Sequence, residues 1–257
     1  MSAAPLKVWH DRDGRLLRLR LARPKANIVD APMIAAIDAA LSDHLDDPRL
    51  MGVLIDHEGP HFSFGASVEE HLPGQYEAML RGFHAMVLRI VAAPVPVLVA
   101  VRGQCLGGGM EVAIAGNLIF AAPDARFGQP EIVLGVFAPP ASVILPERME
   151  RCAAEAMLFS GQPVTGTEAH RLGLVHSVSD DPERAALDWF DSGIAGHSPS
   201  SLRLAVRAAR GPYVERIRTR LAEAEALYLN ELMQTRDAVE GLTAFLEKRP
   251  AQWEATR

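Results

Sequence analysis

Apolar residues recur along the chain at two spacings, and the pattern changes near residue 182. Short apolar runs typical of strands, at 51–59 and 95–101, alternate with stretches of helical spacing at 31–45 and 76–93. Residues 13–14, Asp-Gly between two apolar stretches, predict a hairpin, and 117–129 predicts a strand, a turn and a short strand. Beyond about residue 182 only helical patterns follow. We therefore expect a layered, mostly parallel α/β body followed by a helical second domain or oligomerisation element.

Composition narrows the class of protein. The 257 residues, 49% of them hydrophobic, suffice for one large domain or two small ones. A formal net charge of −6 argues against nucleic-acid binding. The two cysteines, Cys105 and Cys152, stand in apolar stretches and suit a reducing compartment, and the most apolar run, 91–101, is too short to span a bilayer. No signal peptide is predicted, so we expect a soluble cytoplasmic protein without nucleic-acid or membrane partners.

Three consecutive glycines, residues 107–109, stand where a helix is expected to begin, although glycine costs a helix about 1 kcal/mol relative to alanine. Neither the Lys-Ser/Thr of a phosphate loop nor a G-x-G-x-x-G pattern is present, because Met110 and Glu111 follow directly. Free N–H groups at a helix start, approached closely by a ligand, fit a developing oxyanion. Glu111 would then handle a proton or a water. Tight helix–strand packing explains the triplet alone about equally well.

A second glutamate favours the catalytic explanation of the glycine triplet over the packing explanation. Glu131 follows Pro130 and is expected in a first helical turn, where a carboxylate can also be an ordinary N-terminal charge. Paired with Glu111, it supplies the acid and the base that proton-transfer chemistry needs. A turn at Gly65 offers a further backbone donor at Ala66. The nine histidines show no metal-binding spacing, so no metal site is predicted, and Cys105 is interpreted as a small core residue.

These stretches, in this order, resemble the crotonase family of enoyl-CoA hydratases and isomerases. The resemblance rests on FSFGA at 62–66, GGGME at 107–111 and FGQPE at 127–131, with the two glutamates 20 positions apart (131 − 111). RPKANIVD at 23–30 resembles the family's CoA-binding turn, and 240–253 resembles its C-terminal helix. The resemblance implies an α/β fold. Its parts are a spiral core of repeated strand–strand–helix turns, expected over 1–195, and a C-terminal helical trimerisation region over 196–257.

The resemblance also implies roles for individual residues. The N–H groups of Ala66 and Gly108 would hold the thioester oxygen, while Glu111 and Glu131 would hold the water and move the protons. The residues implied in binding the substrate and its CoA are Lys25, Ala26, Asn27, Ser67, Val68, Phe137, Pro139 and, from a neighbouring subunit, Lys248. An acyl-CoA thioester would be the substrate, so CoA is not a separate cofactor and none is implied. A homotrimer or a hexamer is expected.

Two departures from the common hydratase pattern bear on the substrate. VFAPPAS at 136–142 replaces the small, flexible residues usual after LG, and Ser67 stands where most relatives carry an acidic residue. Pro139 and Pro140 could simply begin a helix. The departures resemble a subgroup that hydrates a conjugated cyclic dienoyl-CoA thioester. A general short-chain enoyl-CoA or cyclohexenoyl-CoA hydratase, an isomerase and a non-catalytic acyl-CoA-binding protein remain alternatives.

Overall fold

A computed structural model describes residues 4–254 of the chain. The outer ends of the two predicted regions, 1–3 and 255–257, lie outside the described residues. The strands are β1 (Leu6–Asp11), β2 (Leu16–Leu21), β3 (Gly52–His57), β4 (Val97–Val101), β5 (Gln104–Leu106), β6 (Leu118–Ala121), β7 (Arg126–Gly128), β8 (Val164–Thr165) and β9 (Ser177–Val178). The helices are α1 (Ala31–His44), α2 (Tyr76–Val91), α3 (Gly107–Ala115), α4 (Pro139–Arg148), α5 (Arg151–Ser160), α6 (Gly166–Arg171), α7 (Pro182–Gly193), α8 (Pro199–Asn230) and α9 (Arg236–Leu246).

The main sheet has six strands in the order β1-β2-β3-β4-β6-β9. Only the β1–β2 hairpin is antiparallel, and the other neighbours run parallel. Strand β4 is buried along its whole length, because helices cover both faces of a parallel sheet. The predicted hairpin, the strands of 51–59 and 95–101, the strand–turn–strand of 117–129 and the helices of 31–45 and 76–93 are all confirmed.

A smaller sheet positions the triple glycine. It has the order β5-β7-β8, and β5 runs directly into α3 without an intervening loop. All nine residues of α3 are buried, so this short helix lies inside the core. The segment 62–66 pairs with β5, since Ser63 N–H donates to Gln104 O at 3.0 Å and Leu106 N–H donates to Ser63 O at 3.0 Å. The turn at Gly65 is thereby held against the start of α3.

The C-terminal helices share the main core with the α/β body. Ile217 and Tyr228 of α8 and Leu242 of α9 belong to the same buried cluster as the sheet residues. The predicted boundary at 195/196 falls in the segment that joins α7 to α8. The division into a core and an oligomerisation region stays a prediction.

Two further sequence expectations can be compared with the structure. Cys105 is fully buried, and burial raises the pKa of its thiol, as expected of a core residue. The expectation that Cys152 is also set in apolar surroundings is wrong, because it is exposed near the start of α5. Within residues 4–254, none of the helices is long and apolar enough to cross a membrane.

Candidate active site

A cavity of about 390 Å³ opens at the start of α3. Its wall is largely apolar and is formed by residues from positions 64 to 245, among them Phe83, Leu106, Val136, Leu242 and Phe245. Seven of the predicted site residues line it: Ala66, Val68, Gly108, Glu111, Glu131, Phe137 and Pro139. The fold therefore brings the three sequence motifs, which span residues 62–131, to one concave surface of the kind that binds small molecules.

At each glycine of the triplet, an added side chain would come too close to a different neighbouring residue. Gly107 has a φ of +48°, and a Cβ there would lie 2.4 Å from Glu131 Oε1. A Cβ on Gly108 would lie 3.1 Å from the Ala66 backbone nitrogen, and one on Gly109 would lie 2.4 Å from Ser63 Cβ. The contacts at 107 and 109 are too short for a side chain, whereas a methyl group at 108 would fit only with a shift of a few tenths of an ångström at Ala66. The packing explanation therefore accounts for Gly109, whereas Gly107 and Gly108 keep space free for a carboxylate and a backbone donor.

Two backbone N–H groups meet at this point. Gly108 is the second residue of α3, so its N–H precedes the first intrahelical hydrogen bonds. The Ala66 N–H has no acceptor within the described residues, while its neighbour Gly65 donates to Ser63 Oγ at 3.1 Å. Adjacent free donors at a helix start, in a cavity with an apolar wall, are suited to stabilising negative charge on a ligand oxygen.

Glu111 lies in the same cavity and is 4% exposed. Burial, with a further contribution from the charge of Glu131, raises its pKa well above the ordinary value. The Ala141 N–H donates to Glu111 Oε1 at 2.9 Å and acts in the opposite direction. Pro139 and Pro140 begin α4, as one of the two interpretations of these prolines expected, and because neither has an N–H, Ala141 is the first donor of that helix. The first N–H of α4 therefore points to the carboxylate of Glu111.

Glu131 lies in a 3-10 helix, Pro130–Leu134, which begins at the proline as expected. Burial raises the pKa of Glu131 to about 7. Gln129 is 1% exposed, and its amide, turned so that the nitrogen faces Glu131, donates to the carboxylate oxygens at 2.9 and 3.2 Å. These donors favour the ionised form of Glu131 and oppose the effect of burial. Two buried carboxyls with raised pKa values are suited to a division into one acid and one base.

The loop after Ala66 forms one side of the cavity. Val68 lines it, and so does His71, whose Nδ1 is 2.7 Å from the Ser67 carbonyl oxygen. Ser67 itself lies outside the lining, and its hydroxyl donates to Glu69 at 3.0 Å. Phe137 lines the cavity beside Tyr228, with ring centroids 5.3 Å apart.

The predicted CoA-binding turn lies next to this loop but outside the cavity lining. Phe64 N–H donates to Ala26 O at 2.9 Å, and Lys25 is exposed. The Asn27 side chain is fully buried and holds the turn, since it accepts from Arg23 N–H at 2.9 Å and donates to two backbone carbonyls. Because this side chain is already used within the turn, only the backbone of Asn27 could bind CoA. That role stays a prediction. Lys248 is exposed just after α9, outside the lining.

The comparisons with known proteins agree with this geometry. The model of the enoyl-CoA hydratase/isomerase family matches residues 11–256. The chain belongs to the enoyl-CoA hydratase/isomerase family. It is 63% identical over 253 residues to cyclohexa-1,5-dienecarbonyl-CoA hydratase of Thauera aromatica, covering 98% of each chain.

More distant relatives support the same family and fold. A probable enoyl-CoA hydratase of Bacillus subtilis is 32% identical, with 91% of this chain and 93% of the relative covered. A solved enoyl-CoA hydratase/isomerase structure from Pseudoalteromonas atlantica superposes with a TM-score of 0.87 at 24% identity, covering 97% of this chain and all of that one. At that identity the structural likeness supports the crotonase-type fold alone.

This family member carries site residues that the sequence motifs did not indicate. Gln129 lies inside FGQPE, so its position was quoted but its contact with Glu131 was not foreseen. His84 and Tyr228 line the cavity from α2 and α8. In the sequence both belong to amphipathic helices, where an aromatic or histidine residue normally indicates only a core position.

The raised pKa of Glu111 predicts a pH-dependent gain of stability in Glu111→Gln. In the unfolded chain the carboxyl ionises near its ordinary pKa, whereas in the folded state it retains its proton to higher pH. The wild-type protein therefore loses stability as pH rises above the unfolded value, and the isosteric amide does not. We expect the Tm of Glu111→Gln to exceed that of wild type by about 2–6 °C at pH 8 and to match it near pH 4, measured by calorimetry.

Glu240→Gln is a control of opposite sign. Its ion pair with Arg249 lowers the pKa of Glu240 to about 2, so this carboxylate stabilises the fold above its unfolded pKa. Glu240→Gln should therefore lower the Tm at pH 8. Equal Tm changes for the two variants would contradict the assignment of a raised pKa to Glu111.

Proposed function

We propose that the protein adds water to cyclohexa-1,5-diene-1-carbonyl-CoA and forms 6-hydroxycyclohex-1-ene-1-carbonyl-CoA, a step in the anaerobic degradation of benzoyl-CoA. The observation that carries the reaction type is the coupled pair Glu111 and Glu131 beside two free backbone donors in one cavity. The choice of a ring substrate is supported by the 63% identity to the Thauera aromatica hydratase over nearly the full length.

In this mechanism the thioester oxygen accepts hydrogen bonds from the Ala66 and Gly108 N–H groups. One glutamate, ionised, takes a proton from water as the water oxygen forms a bond to the ring carbon β to the thioester. This β carbon is joined by a double bond to the carbon that bears the thioester. The electron pair of that double bond moves toward the thioester oxygen, where the two donors stabilise the enolate. Removal of one such donor costs about 2.7–4 kcal/mol of transition-state stabilisation in other enzymes.

The second double bond of the ring decides where the new C–H bond forms. The enolate is conjugated with it, and in the product one double bond remains at the carbon that bears the thioester. The proton from the other, protonated glutamate is therefore delivered to the far end of the second double bond. The net change is one O–C bond and one C–H bond formed from one water, and no oxidant or cofactor is consumed. CoA takes part only as a portion of the substrate.

The remaining expectations form part of the same proposal. The ring would lie against Val68, Phe137 and Pro139, with Ser67 near the loop that closes this side. The pantetheine and nucleotide of CoA would pass Lys25, Ala26 and Asn27, with Lys248 of a neighbouring subunit at its end. Exposed apolar side chains on the C-terminal helices and after them, Leu227, Phe245 and Trp253, support a homotrimer or a hexamer. We also propose that the protein is located in the cytoplasm.

A competition experiment tests the substrate. Cyclohexa-1,5-diene-1-carbonyl-CoA and crotonyl-CoA are mixed with the purified protein in heavy-oxygen water, and the label in each product is followed by mass spectrometry. We expect label predominantly in the cyclic alcohol. Label predominantly in 3-hydroxybutanoyl-CoA would replace the ring substrate by a short-chain enoyl-CoA, and label in neither would overturn the hydratase proposal.

A further inference from the structure

Tyr228 carries a buried hydroxyl that the reaction as described above does not use. The residue lies near the C-terminal end of α8, lines the cavity and is 1% exposed. Its Oη has no hydrogen-bond partner in the part of the chain that the structure describes. A buried hydroxyl without a partner destabilises the fold, so a side chain kept in this state calls for an explanation.

The hydroxyl belongs to a residue that lines the same cavity as Glu111 and Glu131. Burial raises the pKa of Tyr228, and the charges of Glu131 and Glu111 raise it further. Tyr228 therefore keeps its proton throughout the physiological pH range and can donate one hydrogen bond and accept others. No direct hydrogen bond joins it to either carboxylate among the described contacts, so this donor stays available to a ligand in the cavity.

The ring of Tyr228 is held by apolar contacts that leave its hydroxyl free. Phe137 packs edge-on against it at a centroid distance of 5.3 Å, and the residue belongs to the main buried cluster. One turn earlier on α8, Glu225 Oε2 accepts a hydrogen bond from His84 Nδ1 at 2.6 Å, which ties α8 to α2 beside the cavity. The position of the hydroxyl is thus fixed by packing and by helix–helix contact, not by a polar partner of its own.

We propose that Tyr228 Oη is the third hydrogen-bonding group of the water site, where it binds the attacking water and then the hydroxyl of the product. A water molecule held by one carboxylate can still rotate. A hydrogen bond to Tyr228 fixes which lone pair faces the ring carbon, and the same bond persists to the newly formed alcohol. This inference rests on the proposed hydratase function, but it requires a β-hydroxyacyl thioester only, with or without a ring.

The test compares ligands that differ by one hydroxyl group. Dissociation constants of 6-hydroxycyclohex-1-ene-1-carbonyl-CoA and of cyclohex-1-ene-1-carbonyl-CoA are measured by calorimetry for wild type and Tyr228→Phe. We expect the variant to bind the hydroxylated ligand about 10-fold more weakly, as for loss of one buried hydrogen bond, and the other ligand within about 2-fold. The kcat for hydration should fall more than KM rises. Phe137→Leu, which alters the same wall without removing a polar atom, should affect both ligands alike.

A second pair, 3-hydroxybutanoyl-CoA and butanoyl-CoA, separates this inference from the ring substrate. If wild type binds only the short-chain pair and Tyr228→Phe weakens only its hydroxylated member, the ring proposal fails and the role of Tyr228 stands. If Tyr228→Phe weakens both members of the bound pair equally, or neither, the hydroxyl does not belong to the water site. Circular dichroism and the Tm of Tyr228→Phe show whether the variant is folded, and Tyr228→Trp provides a second variant without the hydroxyl.

Discussion

Glu111→Gln and Glu131→Gln are each expected to lower kcat for hydration by about 10²–10⁴-fold, the range found when a positioned general acid or base is removed. Glutamine keeps the size and the hydrogen-bond acceptor of glutamate, so Ala141 N–H can still donate to residue 111. What is lost is the ability of that residue to take a proton from water or to deliver a proton to carbon. The measurement is single-turnover hydration of the preferred thioester by each variant.

The pairing makes a sharper prediction than either variant alone. Because the two carboxyls act as one proton-sharing unit, the double variant should be about as slow as the slower single variant, not the product of both losses. Glu77→Gln on α2 provides a matched control, since that carboxylate is exposed in an ion pair with Arg81 and should leave kcat unchanged. Turnover near that of wild type in both single variants would eliminate the two-glutamate mechanism.

Gly108→Ala is expected to lower kcat/KM by about 100-fold while the protein still folds. The added methyl group would lie 3.1 Å from the Ala66 nitrogen and 3.0 Å from its Cβ, at the place where the thioester oxygen is proposed to bind. The backbone of Gly108 is not in the left-handed region, so alanine causes no conformational strain. Loss of access to one or both donors corresponds to the effect of removing an oxyanion-stabilising group. Steady-state kinetics with the preferred substrate measures it.

Gly211→Ala on α8 is the matched control for this substitution. A Cβ there meets nothing within 4 Å, and alanine in a helix interior is favoured over glycine by about 0.5–1 kcal/mol. It should leave kcat/KM unchanged and raise the Tm slightly. If Gly108→Ala retained full activity with a normal Tm, the N–H groups of residues 66 and 108 would not form the oxyanion site.

Much of this fold could be predicted from local pattern. The apolar runs of 51–59 and 95–101 form strands, and the helical spacing of 31–45 and 76–93 forms α1 and α2, because burial of one face decides these elements within a few neighbouring residues. The motifs around Glu111 and Glu131 could likewise be identified, since each is contiguous. The surroundings of Cys152 could not, because exposure depends on which side of α5 faces the rest of the molecule.

By itself, the sequence determined the mixed α/β architecture and the positions of the two glutamates. It also placed glycines at the start of α3. Only the tertiary structure decided why glycine stands at each position, since the groups that an added side chain would meet at 107, 108 and 109 come from three separate positions, Glu131, Ala66 and Ser63. It also brought Tyr228 into the cavity from a helix 117 positions (228 − 111) beyond Glu111. The physical reason is that hydrophobic periodicity specifies which face of a helix is buried, whereas the identity of the groups that meet there depends on how distant elements pack.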